Sequence, residues 1–381
     1  MKRVIEGSGS IWKRKMTEID QKEIGSINST SSIAITPQTT TKGGKKKTKG
    51  VKKKKNKPKQ PPLLLFHELP EYMKDNEYIL RHYRANWSIR QAFLSLFRWH
   101  NETLNVWTHL IGFGLFLSLT MANFLPVPHL VDFLCVFPSS LPVRSEANTS
   151  QNLMYPVPTK LIDLNQPSST EMDWASSSSP AVVEKWPFFI FLAGAMFCLL
   201  SSSSCHLFCC HSHNLNIFLL RIDYVGIAVM IITSFFPPIY YIFQCQPLWQ
   251  ILYLSGISVM GTITIVTLLT PTFSSGKYRG FRALLFVGMG LFGLIPAVHG
   301  TVVNWNEPRR KVILAYESAM AVFYLTGTGF YVSRIPERFK PGWFDLAGHS
   351  HQIFHVFVVL GALAHYGAAL IFLEYREKVG C

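Results

Sequence analysis

Residues 353–372 read IFHVFVVLGALAHYGAALIF, a run that contains no Asp, Glu, Lys or Arg. A helix needs about 20 mostly apolar residues to cross the hydrocarbon core of a membrane. This run is long enough and therefore predicts a transmembrane helix. Six more stretches of similar length and composition lie at 104–124, 186–207, 217–243, 248–269, 281–303 and 312–332. The sequence thus predicts an all-α membrane protein with seven transmembrane helices over residues 104–373.

The positive charge of the chain is concentrated before the first predicted span. Residues 1–100 contain 22 Lys and Arg against 8 Asp and Glu, an excess of 14 within a whole-chain charge of +15. The lysine-rich stretch 42–59 has too few apolar side chains to fold, so residues 1–65 are predicted to be a disordered basic tail. Such a tail can bind nucleic acid, direct nuclear import, or adhere to anionic lipid at about 1 kcal/mol per charge. Beside seven spans we favour lipid adhesion or topology determination, and we expect no nucleic-acid partner.

Basic residues also predict the orientation in the membrane. Four arginines within residues 81–98 precede the first span, and with the lysine-rich tail they favour a cytoplasmic N-terminus. An odd number of spans then places the C-terminal tail, residues 374–381, outside. The long polar loop 126–185 between the first two spans is expected to be exterior as well.

Residues 66–103 are predicted to be a juxtamembrane segment with one amphipathic helix. Apolar side chains of Ile89, Phe93 and Phe97 recur at helical spacing on one face, and Ser88 is suited to cap the helix N-terminus. A helix of this kind lies in the membrane interface with its apolar face toward lipid. We therefore expect an interfacial helix that leads into the first span.

The order of the spans brings several polar residues to one face of the membrane. The second span ends, the third begins and the seventh begins on the same side, where His206, Asp223, His351 and His355 are found. A spacing of four residues puts the last two on one side of a helix, so both rings can reach one ion. Three histidines with an open fourth position are typical of a catalytic zinc site. Asp223 is expected to orient or deprotonate a water on that ion, and Ser202, one turn before His206, to hydrogen-bond the water or a developing oxyanion.

Simpler roles have to be weighed for each polar residue in the spans. Polar side chains near helix ends often face the lipid headgroups only. Among the other histidines, His213 and His349 fall in loops and are expected to be solvated. His299 and His365 lie deeper or on the opposite face, where helix packing is the expected role.

Cysteines and glycines are expected to serve structure. The seven cysteines show no spacing typical of a disulfide framework. Cys209 and Cys210 resemble metal ligands, but adjacent residues point apart on a helix, so palmitoylation or interfacial packing is the preferred interpretation. The glycines expected to allow close helix approach are Gly288, Gly290, Gly293, Gly327 and Gly329.

Five short motifs resemble those of a known family. They are NETLNVWTH at 101–109, SSSCH at 202–206, LRIDY at 220–224, RIPER at 334–338 and SHQIFH at 350–355. In combination they resemble the progestin and adipoQ receptor family, and most closely its plant branch, the heptahelical transmembrane proteins. The resemblance covers the chain from about residue 69 to its end. The basic tail and the long loop have no counterpart in it.

The resemblance carries expectations about the site. It implies a zinc ion held by His206, His351 and His355, with Asp223 reaching the metal through water, and a cytoplasmic N-terminus. Animal relatives act as receptors for a protein hormone or for progestins, and some resemble amide hydrolases that act on ceramide. The plant branch is associated with responses to hormones, sugar and abiotic stress.

Three functions follow as hypotheses. The first is a receptor-like zinc-binding membrane protein in hormone, sugar or abiotic stress signalling, favoured at the plasma membrane over internal membranes, with a hormone or lipid ligand. The second is a zinc-dependent hydrolase of a lipid amide, in which Asp223 and Ser202 are catalytic. The third is a scaffold that recruits cytoplasmic proteins through the basic tail.

Overall fold

The computed structural model of the protein describes residues 61–124, 183–274 and 276–379. Nearly all of the predicted tail 1–65, and nearly all of the predicted loop 126–185, lie outside the described residues. The account below concerns the described ranges alone.

Helices account for the regular structure of the described ranges. An isolated antiparallel bridge between Leu64 and Tyr83 is the one β-type pairing in these residues. The α-helices are numbered here along the chain as α1 (Ile89–Leu94), α2 (Thr103–Phe124), α3 (Trp186–Phe208), α4 (His213–Ser234), α5 (Phe236–Ile242), α6 (Pro247–Leu269), α7 (Arg279–Phe292), α8 (Leu294–Val303), α9 (Arg310–Ser333) and α10 (Ser350–Val379). The all-α prediction is confirmed.

The long helices give the predicted number of membrane crossings. By length and composition, 6 of the described helical segments can cross a membrane: α2, α3, α4 with α5, α6, α7 with α8, and α10. α9 has 24 residues and is therefore about 36 Å long, but it is more polar because it carries Lys311 and Glu317. α9 packs against α10 over a large contact, and with it the crossings number seven. The predicted seven-helix membrane protein is confirmed.

Two of the crossings are interrupted near prolines. α4 passes into α5 at Phe235, just before Pro237, and α7 passes into α8 at Gly293, before Pro296. Proline lacks an N–H donor and its ring clashes with the preceding turn, so it breaks the helical hydrogen-bond ladder. Phe235 and Gly293 both line an internal cavity, so the interruptions lie at the cavity wall.

α3 is the central helix of the bundle. It packs against α2 and α4, and it also contacts α10. Its side chains Phe188, Phe191, Leu192 and Leu199 are completely buried. The outer helices instead expose large apolar side chains, for example Val259 on α6. An apolar exterior of this kind suits hydrocarbon rather than water.

The glycines that permit close packing differ from most of those expected. A β-carbon at Gly288, Gly290 or Gly329 would meet no atom within 4 Å, so the expectation of close approach is wrong there. It holds at Gly293 and at Gly327, where a β-carbon would lie 2.8 Å from Phe357 Cβ. These contacts depend on the neighbouring helix, which the local sequence does not specify.

Gly226 on α4 offers a direct test of the packing against α3. A β-carbon there would lie 2.5 Å from Ser201 Oγ and 3.1 Å from Cys198 Cα, and a backbone atom cannot rotate away. We expect Gly226→Ala to destabilise the protein by about 1–3 kcal/mol, as overpacked cores do, and to lower its melting temperature in detergent. Gly114→Ala is the matched control, because its β-carbon meets nothing within 4 Å. Equal melting temperatures for the two variants would contradict the expectation.

The predicted interfacial helix is present as α1, followed by a 3-10 turn at Ser95–Phe97. Ser88 caps it, since Gln91 N donates to Ser88 Oγ at 3.3 Å. Ile89 and Phe93 are exposed, and Phe97 is 80% exposed, so the predicted apolar face points away from the protein. This face is available to the membrane surface, as expected of an interfacial helix.

Two features at the opposite end of the bundle differ from the expectations. α10 continues as a helix to Val379, so most of the residues predicted as a C-terminal tail extend the last crossing. Cys245, in the turn between α5 and α6, is disulfide-bonded. The spacing of the cysteines did not predict this bond.

Candidate metal centre

The structure brings the three predicted histidine ligands together. His206 lies in the last turn of α3, and His351 and His355 lie in the first two turns of α10. One nitrogen from each ring lies within 4.8 Å of the others. The Nε2 atoms of His206 and His351 are 3.2 Å apart. The i, i+4 spacing therefore works as predicted, with both rings of α10 facing the end of α3.

A carboxylate fixes the ring of His206. Glu102, one residue before α2, places Oε2 2.8 Å from His206 Nδ1. A carboxylate can only accept, so Nδ1 carries the proton and Nε2 presents its lone pair to the other histidines. Asn105 Nδ2 donates to the same Glu102 oxygen at 2.6 Å and holds the carboxylate in place.

The electrostatics of Glu102 suit this role. Burial raises the pKa of its carboxyl, but the His206 ring and the hydrogen bonds from His206 and Asn105 outweigh burial and hold the pKa well below its usual range. Glu102 is therefore an ionised acceptor at neutral pH. Carboxylates that hold metal-binding histidines in this way set the ring orientation and raise the basicity of the ligand.

His355 is oriented by the backbone of α2. The carbonyl oxygen of Asn105 lies 3.1 Å from His355 Nδ1, so this nitrogen donates and Nε2 is free to act as a ligand. The ring of His109 stacks on His355 with centroids 3.7 Å apart and an interplanar angle of 7°. His355 itself is buried, and this stack leaves its ring little freedom.

The geometry fits a tetrahedral ion such as zinc. Zinc binds imidazole nitrogen at about 2.0–2.1 Å, so two ligand nitrogens in a tetrahedron lie about 3.3–3.4 Å apart. The 3.2 Å between His206 Nε2 and His351 Nε2 is close to this value. The Nδ1 atoms of His206 and His355 donate to protein oxygens, which leaves the Nε2 atoms of these two rings with free lone pairs. Neutral imidazole is the form of histidine that binds zinc.

Two contacts outside the centre fix the helix ends that carry the ligands. Arg84 of the juxtamembrane segment is buried and donates to the carbonyls of His206, at 2.7 Å, and Leu207, at 3.0 Å, the last turn of α3. Glu337 is fully buried and accepts from Ser350 N at 2.8 Å, the first residue of α10. Both contacts satisfy helix-terminal backbone groups and complement the helix dipole.

Asp223 and Ser202 lie beside the centre but are not part of the ligand group. Both are buried and interact through the Ser202 hydroxyl and the Asp223 carboxylate. They line a cavity of about 380 Å³ together with His351 and His355. The structure therefore places the four residues around one internal space. Among the described residues, the group whose nitrogens could hold one ion consists of the three histidines and does not include Asp223.

The other histidines divide between expected and unexpected positions. His213 is exposed as expected, and His299 packs in the bundle with Nδ1 2.9 Å from Tyr253 Oη. The expectation of a solvated His349 is wrong. Its ring is buried with Nε2 3.3 Å from the carbonyl of Asn101, and burial lowers its pKa. The juxtamembrane segment covers this loop, which the loop sequence itself does not indicate.

Glu102 and Asn105 were missed as partners of the ligands. The order of the spans contained a signal, because the first span begins on the same face where the second ends and the seventh begins. A carboxylate at that start is able to reach His206. It stood out less than the histidines because a charged residue just before a span is common at the membrane interface.

Comparison with known proteins places this arrangement in a family. A family model described as haemolysin-III related matches residues 97–366. Heptahelical transmembrane protein 1 of Arabidopsis thaliana is 58% identical over 323 residues, 85% of each chain. Heptahelical transmembrane protein ADIPOR1 of Oryza sativa subsp. japonica is 52% identical over 337 residues, 84% of this chain and 86% of that protein. The chain belongs to the progestin and adipoQ receptor family.

The family includes more distant animal members. The adiponectin receptor protein of Drosophila melanogaster is 32% identical over 313 residues, 82% of this chain and 60% of that protein. The match to the haemolysin-III related model contains the whole stretch from Glu102 through His206 and Asp223 to His355. The protein is thus a multi-pass, adiponectin-receptor-like membrane protein, as the motifs predict.

Substitution of Glu102 tests whether this carboxylate orients a metal ligand without being a ligand itself. Loss of such a partner typically lowers metal affinity about 10- to 100-fold, so we expect zinc to bind Glu102→Gln about tenfold more weakly and Glu102→Ala weaker still. Competition with a chelator of known affinity measures the change. Glu71→Gln, a surface carboxylate paired with Lys74, is the control and is expected to bind like the wild type. Unchanged affinity in Glu102→Ala would remove Glu102 from the centre.

Proposed function

We propose that this protein is a receptor-like membrane protein that holds a zinc ion at His206, His351 and His355 and acts in hormone, sugar or abiotic stress signalling. The clustering of three histidine nitrogens is the observation that supports a bound metal. Glu102 orients the ring of His206, and the Asn105 carbonyl orients the ring of His355. The receptor role is supported by the family and by the adiponectin receptor name of the Drosophila relative. A zinc ion here would supply a Lewis acid at the end of the internal cavity.

The proposal includes a cytoplasmic N-terminus and a place in the plasma membrane. Cys245 supports the orientation. It lies between α5 and α6, the end of the bundle opposite the histidines, and it is disulfide-bonded. Disulfides persist in oxidising compartments and are rare in the cytosol, so the Cys245 end suits the exterior. The histidine end and the basic tail then face the cytoplasm, where anionic lipid attracts lysine.

A cellular response tests the receptor proposal. The triple variant His206→Ala, His351→Ala, His355→Ala is introduced into cells that lack the protein, beside the wild type. We expect the wild type to restore the response to hormone, sugar or stress and the triple variant, at equal membrane abundance, to fail. His213→Ala, on the exposed start of α4, is expected to restore it. A full response from the triple variant would favour a scaffold that acts through the basic tail.

A second function, hydrolysis of a lipid amide such as ceramide, is supported by the cavity. Its walls are mostly apolar, with Phe235 and Phe286 among them, and suit an acyl chain. At the histidine end, Asp223 is placed to hold or accept a proton. Ser202 is placed to donate a hydrogen bond to that carboxylate or to a carbonyl oxygen of the lipid. A receptor that releases a lipid product would combine both functions.

A further inference from the structure

Glu317 and His365 form an ionisable pair inside the membrane-spanning part of the bundle. Glu317 is on α9 and His365 is on α10, and the carboxylate Oε1 lies 3.1 Å from His365 Nδ1. Charged and titratable side chains at membrane depth are costly and generally mark functional sites. The pair lies apart from the metal centre, and none of the roles described so far uses it.

The hydrogen bonding of this pair is incomplete. The 3.1 Å contact lacks hydrogen-bond geometry, so Glu317 Oε1 and both ring nitrogens of His365 have no hydrogen-bond partner among the described residues. His365 is only 2% exposed. Buried polar atoms are nearly always satisfied, and an orphaned one needs an explanation such as an absent partner. A pair that served only to join α9 to α10 would be expected to make the bond.

Both side chains line the cavity that begins at the histidines. On α10, His365 follows His355 by ten residues, which is about 15 Å along the helix axis. The hydrocarbon core is about 30 Å thick, so one leaflet, and hence one acyl chain, measures about 15 Å. A chain that starts at His355 would therefore end near Glu317 and His365.

We propose that Glu317 and His365 form a second subsite, which binds a hydroxyl group at the far end of a long acyl chain whose carboxyl or amide group lies at the metal centre. The proposal rests on the lipid-binding cavity of the proposed function. A hydroxyl both donates and accepts, so it can bond the Glu317 carboxylate and a His365 nitrogen together. A terminal carboxylate would be repelled by Glu317, and a hydroxyl is cheaper to desolvate than any ion.

Two ligands that differ in one atom test the proposal. Purified full-length protein in lipid nanodiscs is titrated with palmitic acid and with ω-hydroxypalmitic acid. A hydrogen bond to a charged group favours the hydroxylated ligand about tenfold or more, and we expect this ratio of Kd values. Equal binding of the two acids by the wild-type protein overturns the proposal and leaves the lipid cavity standing. Binding of neither overturns the lipid cavity as well.

A double variant tests whether Glu317 and His365 cause the preference for the hydroxylated acid. In Glu317→Met, His365→Phe both side chains are replaced by apolar groups of similar size. We expect the preference for the hydroxyl to disappear, so that the Kd values of palmitic acid and ω-hydroxypalmitic acid become equal. His299→Phe, a membrane histidine that does not line the cavity, is the matched control and is expected to keep the preference. A preference that survives in the double variant overturns the assignment to Glu317 and His365. The wild-type comparison decides the question even where the double variant does not fold.

Discussion

Replacing His351 and His355 together by alanine is expected to abolish zinc binding by the purified protein. The two rings provide two of the three ligands from a single helix, and His206 alone cannot hold the ion in an open-sided site. Their backbone positions are fixed by Glu337 at the start of α10, which neither substitution touches. We therefore expect the double variant to fold but not to bind zinc.

Metal content per protein measured after dialysis decides this prediction. We expect about one zinc in the wild type and in His213→Ala, and almost none in the double variant. Zinc at about 1,000 times its Kd also stabilises a protein by about 4 kcal/mol, so added zinc should raise the melting temperature of the wild type and of His213→Ala but not that of the double variant. Equal zinc content in the double variant would show that the three histidines are not the ligands.

Asp223→Asn is expected to lower hydrolysis of ceramide by about 10²- to 10⁴-fold, the usual contribution of a general base, while zinc stays bound. Asparagine keeps the size of the side chain and its hydrogen bond with Ser202, but it cannot take up a proton. Asp223 does not belong to the group of ligand nitrogens, so its replacement leaves the metal with its three histidines.

Fatty acid released from ceramide and zinc content, measured on the same samples, test this prediction. Asp345→Asn is the control, because Asp345 is a buried carboxylate in the loop before α10 that accepts from Leu80 N at 2.9 Å and does not line the cavity. Its turnover per folded molecule is expected to match the wild type. Undiminished turnover in Asp223→Asn would exclude Asp223 as the base. No turnover in a zinc-loaded wild type would leave the receptor function alone.

The fold and the clustering of the three histidines were predictable because they depend on short-range patterns and on counting. Hydropathy gives the spans. Successive spans cross the membrane in alternate directions, so the end of the second span and the start of the seventh lie on the same face, and this places His206, His351 and His355 together. The span that becomes α9 was recognisable as the stretch 312–332, in which Glu317 is the one charged residue.

The features that were missed depend on contacts between distant parts of the chain. Glu102 contacts His206, which lies 104 residues later in the sequence. The buried His349 ring contacts the backbone carbonyl of Asn101, 248 residues earlier. A local sequence pattern does not show which distant residues come into contact in the fold. The same holds for the glycines, since Gly226 is tight because of Cys198 on α3 and Gly288 is open because nothing packs there.

The polarity of α9 has a consequence for how the protein is made. The chain is synthesised from its N-terminus, so α9 enters the membrane before α10 exists. Lys311 and Glu317 raise the free energy of inserting α9 and so make insertion less favourable. The Glu317 carboxylate meets His365 only after α10 has been synthesised. α9 and α10 should therefore settle in the bilayer as a hairpin. A chain that ends before α10 is expected to leave α9 poorly integrated and to be removed by quality control.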